Sequence, residues 1–291
     1  MLPNDRSPLP DTEVHHLRSD AVGDEFKVLI GHSGGAAEGP RPVLVLADPW
    51  AAFGSVIETV RLFRLGGMLP DMVVVGVGYR SALIGDIVRL RTRDLTPTAD
   101  ASRLSEDQPA TMMGGADRFL AFLPDELAPW LDGRHGADPG DATFVGYSLG
   151  GLFATHVLLT DPSAFRRYAI GSPSLWWDDG VTFADEAEYA AANSDLPARV
   201  HFCVGEFETL AGRRRFVEQL PPEARAAAEA EDAADAPVDM VADMQRMVDL
   251  LRGRGYPSLE LESEVLAEEY HETAGPQALS RALRWLYGAP L

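Results

Sequence analysis

The sequence predicts an α/β protein with a mainly parallel central sheet and helices on both of its faces. Two patterns carry that expectation. Strand candidates recur at 25–30, 43–46, 72–77, 142–145, 167–170, 200–204 and 259–264, most of them apolar without clean alternation, as strands covered on both faces tend to read. Helical periods fall between them, and that alternation builds parallel sheets. No internal repeat is visible.

The helical periods are explicit in three places. In 116–131, Phe119, Leu120, Leu123, Leu127, Trp130 and Leu131 share a face; in 238–251, Val241, Met244, Val248 and Leu251 do so; in 276–287, Leu279, Leu283 and Leu286. The methionine stripe reads as core packing, not a cofactor box. Residues 1–20 are polar and Pro-rich, and read as a flexible N-terminal arm. That leaves 21–291 as a single domain. Two segments break the rhythm: a polar loop at 98–115 containing Gly114-Gly115, and an acidic Ala/Glu/Asp-rich excursion at 221–237. The second reads as a solvated helix and is assigned no chemistry.

A chain of 291 residues buries roughly three quarters of its unfolded surface, so it needs neither metal nor disulfide to fold. The net charge of −20 argues against nucleic-acid and anionic-membrane partners. It also slows the approach of an anionic substrate unless arginines reverse the field locally. The basic residues are 24 arginines and a single lysine, Lys27. The one cysteine, Cys203, sits in an apolar strand and reads as a buried, inert thiol. The first twenty residues carry Asp11, Glu13 and Asp20 without an apolar stretch, unlike a signal peptide. No run approaches the roughly 18 apolar residues of a membrane span. A soluble, cytoplasmic protein is expected, with homo-oligomerisation left open. His15-His16 and Asp178-Asp179 are adjacent pairs without ligand spacing, so no metal and no cofactor are expected.

The chemistry centres on Gly146-Tyr147-Ser148-Leu149-Gly150. A strand precedes it and a helical run, 152–159, follows. This strand–turn–helix context is the nucleophile elbow of the α/β-hydrolase fold. Ser148 must occupy a very tight turn to project its hydroxyl from the sheet edge, and glycines at 146 and 150 remove side chains that would clash there. Leu149 opens the helix, where amide N–H groups are unpaired, and its N–H is one expected arm of an oxyanion hole.

A serine needs an adjacent base, and in this fold the chain order is serine, acid, histidine. Of the seven histidines, His156 sits in the helix that opens at the elbow itself, and only His201 and His271 lie beyond it. His201 lies inside an apolar strand. His271 lies in Glu269-Tyr270-His271-Glu272-Thr273, read as a loop after the last strand, where the base belongs. The acid should close the preceding strand, which ends in Gly205-Glu206-Phe207-Glu208. Glu208 fits the turn better, with Glu206 as runner-up. The acid holds the imidazole tautomer and stabilises its cation. The second oxyanion donor should follow 43–46, in Ala47-Asp48-Pro49-Trp50; Pro49 has no N–H, which leaves Trp50.

Several stretches resemble the putative esterase family that includes esterase D and the enterochelin (siderophore) esterases. They are Pro42–Asp48, Val75-Gly76-Val77-Gly78-Tyr79, Arg93-Asp94-Leu95-Thr96-Pro97, Gly114-Gly115-Ala116-Asp117-Arg118-Phe119, the Ser148 elbow, Ser172-Pro173-Ser174-Leu175-Trp176-Trp177-Asp178-Asp179, and Tyr270-His271-Glu272-Thr273. The resemblance implies an α/β-hydrolase fold and hydrolysis of a small-molecule ester. It places Trp176 and Trp177 near the substrate, with core or rim packing as the competing reading, and Tyr147 beside the nucleophile is a further candidate contact. Arg93 is expected to pair with a neighbouring carboxylate. One departure is Asp48-Pro49, where family members carry Asp-Gly; the oxyanion amide one residue further on corresponds to Trp50. The leading function is a serine carboxylesterase acting through a Ser148 acyl-enzyme. The alternatives are an acyltransferase on the same Ser-His-Glu machinery and a non-catalytic hydrolase-fold binding protein.

Overall fold

The computed structural model describes residues 9–34, 39–100, 102, 110–234 and 238–288. Eight strands form one sheet in the order β1-β2-β4-β3-β5-β6-β7-β8. They are β1 Thr12–Arg18, β2 Glu25–His32, β3 Arg41–Ala47, β4 Val73–Tyr79, β5 Ala137–Tyr147, β6 Arg167–Gly171, β7 Arg199–Gly205 and β8 Glu260–Leu266. β1 and β2 are antiparallel to their neighbours, and every pair from β4 to β8 is parallel. All seven strands read from the sequence are present.

β1 corrects the reading of 1–20 as a flexible arm. Thr12–Arg18 pairs along its whole length with Glu25–His32. It lies at the sheet edge and is largely exposed, so most of its side chains are polar and it lacks the apolar signature of a central strand. Residues 1–8 of the expected arm lie outside the described residues.

The helices are α1 Pro49–Leu65, α2 Ile84–Leu95, α3 Ala116–Phe122, α4 Ala128–His135, α5 Leu149–Thr160, α6 Val181–Ala192, α7 Leu210–Gln219, α8 Pro222–Ala234, α9 Met240–Arg254 and α10 His271–Tyr287. The single helix read at 116–131 is α3 and α4 joined through a wider turn, Leu123–Leu127, that carries Pro124. A proline lacks the N–H that a regular turn would use. α8 fills most of the acidic excursion, of which 235–237 lie outside the described residues; so do 101 and 103–109 of the polar loop.

The sheet separates two apolar layers. One joins α3, α4, α5 and α9 to β2, β5 and β7 through Phe26, Phe122, Phe144, Phe153, Phe202 and Met247. The other packs α1 and α10 through Ile57, Val60, Leu44, Leu283 and Leu286. Both faces are thus covered, and Met244 and Val248 of α9 are core residues.

Candidate active site

Ser148 stands between the end of β5 and the first residue of α5, with φ 59° and ψ −119°. This is a strained conformation for a residue with a Cβ. Three backbone hydrogen bonds hold it. The Ser148 N–H donates to Gly171 O (3.0 Å), and its carbonyl accepts from Leu152 N–H (3.0 Å) and Ser174 N–H (3.2 Å). The glycines around it have different reasons. A Cβ at Gly146 would lie 2.0 Å from Gly150 O, and one at Gly151 would lie 2.9 Å from both Gly171 O and Pro173 Cα. At Gly150 the nearest atom would be Ala47 Cβ, at an ordinary 3.4 Å. The expected clash at 150 is therefore absent, and Gly151 is the second glycine the turn requires.

β3 and β5 are parallel neighbours, with Leu46 opposite Val145, so α1 and α5 start side by side at the carboxyl edge. Leu149 is the first residue of α5, and Trp50 the second of α1. The opening N–H groups of a helix have no intrahelical acceptor, and the dipole makes that end positive. Asp48 turns the chain into α1 with φ 55°, away from the right-handed helical region that a following proline disfavours. Its carboxylate is gripped by Arg91 of α2, whose Nε donates to both oxygens at 3.0 Å and whose Nη2 donates to Oδ2 at 2.6 Å. Pro49 is buried against β4, where side chains at Gly76 and Gly78 would come within 2.5 and 2.8 Å of its ring. The departure from Asp-Gly is thus accommodated by two small residues on the next strand.

The structure separates the two glutamates. Glu208 has a side chain 1% exposed, and its Oε2 lies 2.6 Å from His271 Nδ1. A carboxylate only accepts, so the ring nitrogen donates. Oε1 accepts from the Gly205 N–H (2.7 Å) and the Ser172 hydroxyl (2.5 Å). Glu206 does other work: its Oε2 accepts from Glu268 N–H at 2.8 Å, bracing the turn that precedes His271. Gly205 allows that turn to come close, since a Cβ there would lie 2.5 Å from Glu269 O.

His271 is the first residue of α10, not a loop residue as the sequence suggested. The sequence signal for the helix begins at Pro276, which lacks an N–H to return to Glu272. The earlier turn is secured by Thr273, whose hydroxyl accepts from Tyr270 N–H at 3.0 Å, a local cap with no apolar period.

One expected substrate contact, Trp177, is revised, and Tyr147 has a second set of partners. Trp177 is 3% exposed, and its indole N–H donates to Thr98 O at 3.2 Å; it is a core residue. Tyr147 donates its hydroxyl to the His271 carbonyl (2.6 Å), and its oxygen lies 2.9 Å from the Ser172 hydroxyl oxygen. Burial raises its pKa, so the phenol stays a neutral brace behind the base. Trp176 is half-buried with its ring centroid 6.1 Å from that of Trp177. Ser172, with φ 39°, links Tyr147 to Glu208 and was missed in the sequence; its signal was the Gly-Ser-Pro turn closing β6.

Residues outside this group behave structurally. Arg93 pairs with Asp94 and Asp24, both at 2.7 Å. Burial pushes His201 down to about 4 and raises the Cys203 thiol, so both are neutral core groups. His156 of α5 sits between Asp185 (2.8 Å) and Asp117 (3.1 Å). Burial opposes its charge, but the two carboxylates outweigh it and raise its pKa.

A doubly covered sheet with a serine elbow at its carboxyl edge, and at the same edge a histidine paired with a buried glutamate, is an α/β-hydrolase. Residues 19–239 match the family described as Putative esterase, and the chain belongs to that family. Over 210 residues it is 30% identical to the ferri-bacillibactin esterase BesA of Bacillus subtilis, a match covering 69% of this chain and 72% of the relative. It is 34% identical over 158 residues to the siderophore enterobactin esterase of Emericella nidulans, about half of each chain. The crystal structure of the BES protein from Bacillus cereus superposes with a TM-score of 0.76 at 24% identity over 98% of both chains. The chain is a carboxylic ester hydrolase. No helix among the described residues is long and apolar enough to cross a membrane.

Proposed function

We propose that this protein is a serine esterase that cleaves the ester linkages of a siderophore. The observation that carries the catalytic half is the 2.6 Å contact between His271 Nδ1 and buried Glu208. It fixes the imidazole tautomer with an unprotonated Nε2, the state a general base needs. His271 takes the Ser148 proton as Oγ attacks the ester carbonyl. The developing oxyanion is held by the N–H groups of Leu149 and Trp50 at the two adjoining helix starts. The proton passes from His271 to the leaving alcohol. Water, activated by the same histidine, then cleaves the acyl-enzyme and frees the acid. Tyr147, Ser172 and Glu206 position the acid and the base without touching the substrate. The substrate half rests on the relatives, which are named for siderophore esters.

The test has two arms. A fluorophosphonate probe should label the wild type and not Ser148→Ala. A panel of aryl esters and ferric and iron-free siderophore esters, followed by chromatography, should show Ser148-dependent release of acid fragments from a siderophore. Equal labelling of Ser148→Ala would overturn the mechanism. Aryl-ester turnover with no cleavage of any siderophore would overturn the substrate class alone.

A further inference from the structure

Away from the Ser148 edge, a second cluster of chemistry-bearing side chains forms where the parallel strands begin. His15 comes from edge strand β1, His32 from the end of β2, and His135 from the last residue of α4, just before β5. The His15 and His32 rings lie 5.8 and 5.5 Å from the His135 ring, and Trp130 lies 4.9 Å from His15 and 5.2 Å from His135. Glu13 and His15 are two residues apart on β1 and so share one face of the strand. Glu13 Oε2 lies 2.7 Å from His15 Nε2. One ligand-type atom from each of Glu13, His15 and His135 falls within 4.8 Å of the others.

A separate observation points to a ligand at this cluster. His135 is 8% exposed, and its Nε2 is buried without a hydrogen-bond partner. A buried ring nitrogen ordinarily finds a partner. His32 is otherwise engaged: Arg41 donates to its Nδ1 at 3.3 Å and also to the His135 carbonyl. Arg41 and Arg134 are cations beside it, the latter stacked 5.2 Å above Trp130, and Arg61 donates to the His32 carbonyl at 3.2 Å; the Glu13 carboxylate opposes them.

We propose that Glu13, His15 and His135 form a binding site for a zinc-type divalent ion, separate from the esterase machinery. Two imidazoles and one carboxylate suit a borderline metal such as Zn²⁺, and three protein ligands leave a fourth tetrahedral position to water. The ion joins edge strand β1 to the α4–β5 junction. It closes a long loop of chain, which is where a metal clip restrains the unfolded state most.

The full-length protein, stripped by a chelator, is titrated with zinc chloride by calorimetry and followed by thermal unfolding. Wild type should bind one zinc in this site, and at about a hundred times Kd its Tm should rise by about 4–5 °C. Glu13→Gln and His15→Ala, both on the accessible edge strand, should weaken binding at least tenfold and lose the shift. His16→Ala, on the opposite face of β1, and Cys203→Ser, in the His201–Cys203–Glu264 group, should bind as wild type. Zinc binding unchanged in both Glu13→Gln and His15→Ala would overturn the proposal. So would loss of binding in Cys203→Ser, or no zinc-dependent Tm shift in the wild type at millimolar metal.

Discussion

Glu208→Gln tests the acid–base geometry most sharply, because the surroundings dictate how the amide must sit. In the wild type Oε1 accepts from the Gly205 N–H at 2.7 Å, and Oε2 faces His271 at 2.6 Å. The Gly205 N–H can only donate, so the glutamine oxygen must take the Oε1 position. The NH2 group then faces His271 Nδ1 and forces the tautomer protonated on Nε2, which cannot accept the Ser148 proton. Turning the amide over restores the active tautomer but leaves a buried N–H unsatisfied, at about 1–3 kcal/mol. The flipped form also lacks the charged acceptor that stabilises the imidazolium, about 1.5–3 kcal/mol more. Together the barrier rises by about 2.5–6 kcal/mol, a fall in kcat of about 10²–10⁴. Steady-state hydrolysis of an aryl ester measures it, with KM expected near the wild-type value and circular dichroism confirming the fold. Glu206→Gln should fall no more than about threefold, since its carboxylate only braces the Glu268 N–H. Glu208→Gln retaining activity within tenfold of wild type, or Glu206→Gln losing more, would refute the assignment of the acid.

Other outcomes follow from the same structure. Gly146→Ala should abolish soluble expression or cost more than about 3 kcal/mol, whereas Gly150→Ala, with its nearest neighbour at 3.4 Å, should unfold in urea close to wild type. Arg91→Met frees the Asp48 carboxylate at the turn into α1; kcat should drop about tenfold with little change in KM, because the Trp50 N–H loses its fixed direction. His201, held down to about 4 by burial, binds its proton more readily in the unfolded chain. Its contribution is therefore intact above about pH 6.5 and is lost as pH falls toward 4, by up to about 3 kcal/mol. Urea unfolding at pH 7 and pH 4.5 should show a smaller difference for His201→Met than for wild type. His156 has the opposite sign: its raised pKa stabilises fully below about pH 6.5, and that part fades as pH rises through the folded value. Its Asn variant should remove a decline in stability on the alkaline side.

Patterns that depend on neighbours along the chain are legible in the amino-acid order alone. Most of the strands show as apolar runs because a strand buried on both faces needs apolar residues throughout; β8, where only Leu266 is buried, carries glutamate at every second position from 260 to 264. The elbow at Ser148 is legible because a tight strand–helix turn needs small residues at fixed spacing, and His271 because chain order leaves it as the histidine in the right place. β1 is not legible, since an exposed edge strand has no apolar period to read. Glu208 can be ranked above Glu206 but not separated from it, because two glutamates just past the same strand differ only in which way the turn sends them.

The tertiary structure decided what depends on residues far apart in the chain meeting in space. Glu208 meets His271 because β7 and β8 end side by side, and their loops touch across Gly205. Trp177 turns inward because Thr98 offers its indole an acceptor, and Tyr147 is a brace because the His271 carbonyl lies within its reach. In the sequence His15 is half of an adjacent pair with no ligand spacing. Folding puts His16 on the other face of the strand and brings His135 to His15 from α4. Local sequence determined the backbone turns and which serine the elbow presents. Long-range packing determined which side chains those turns face, because that direction is set by the neighbouring strand and not by the next residue.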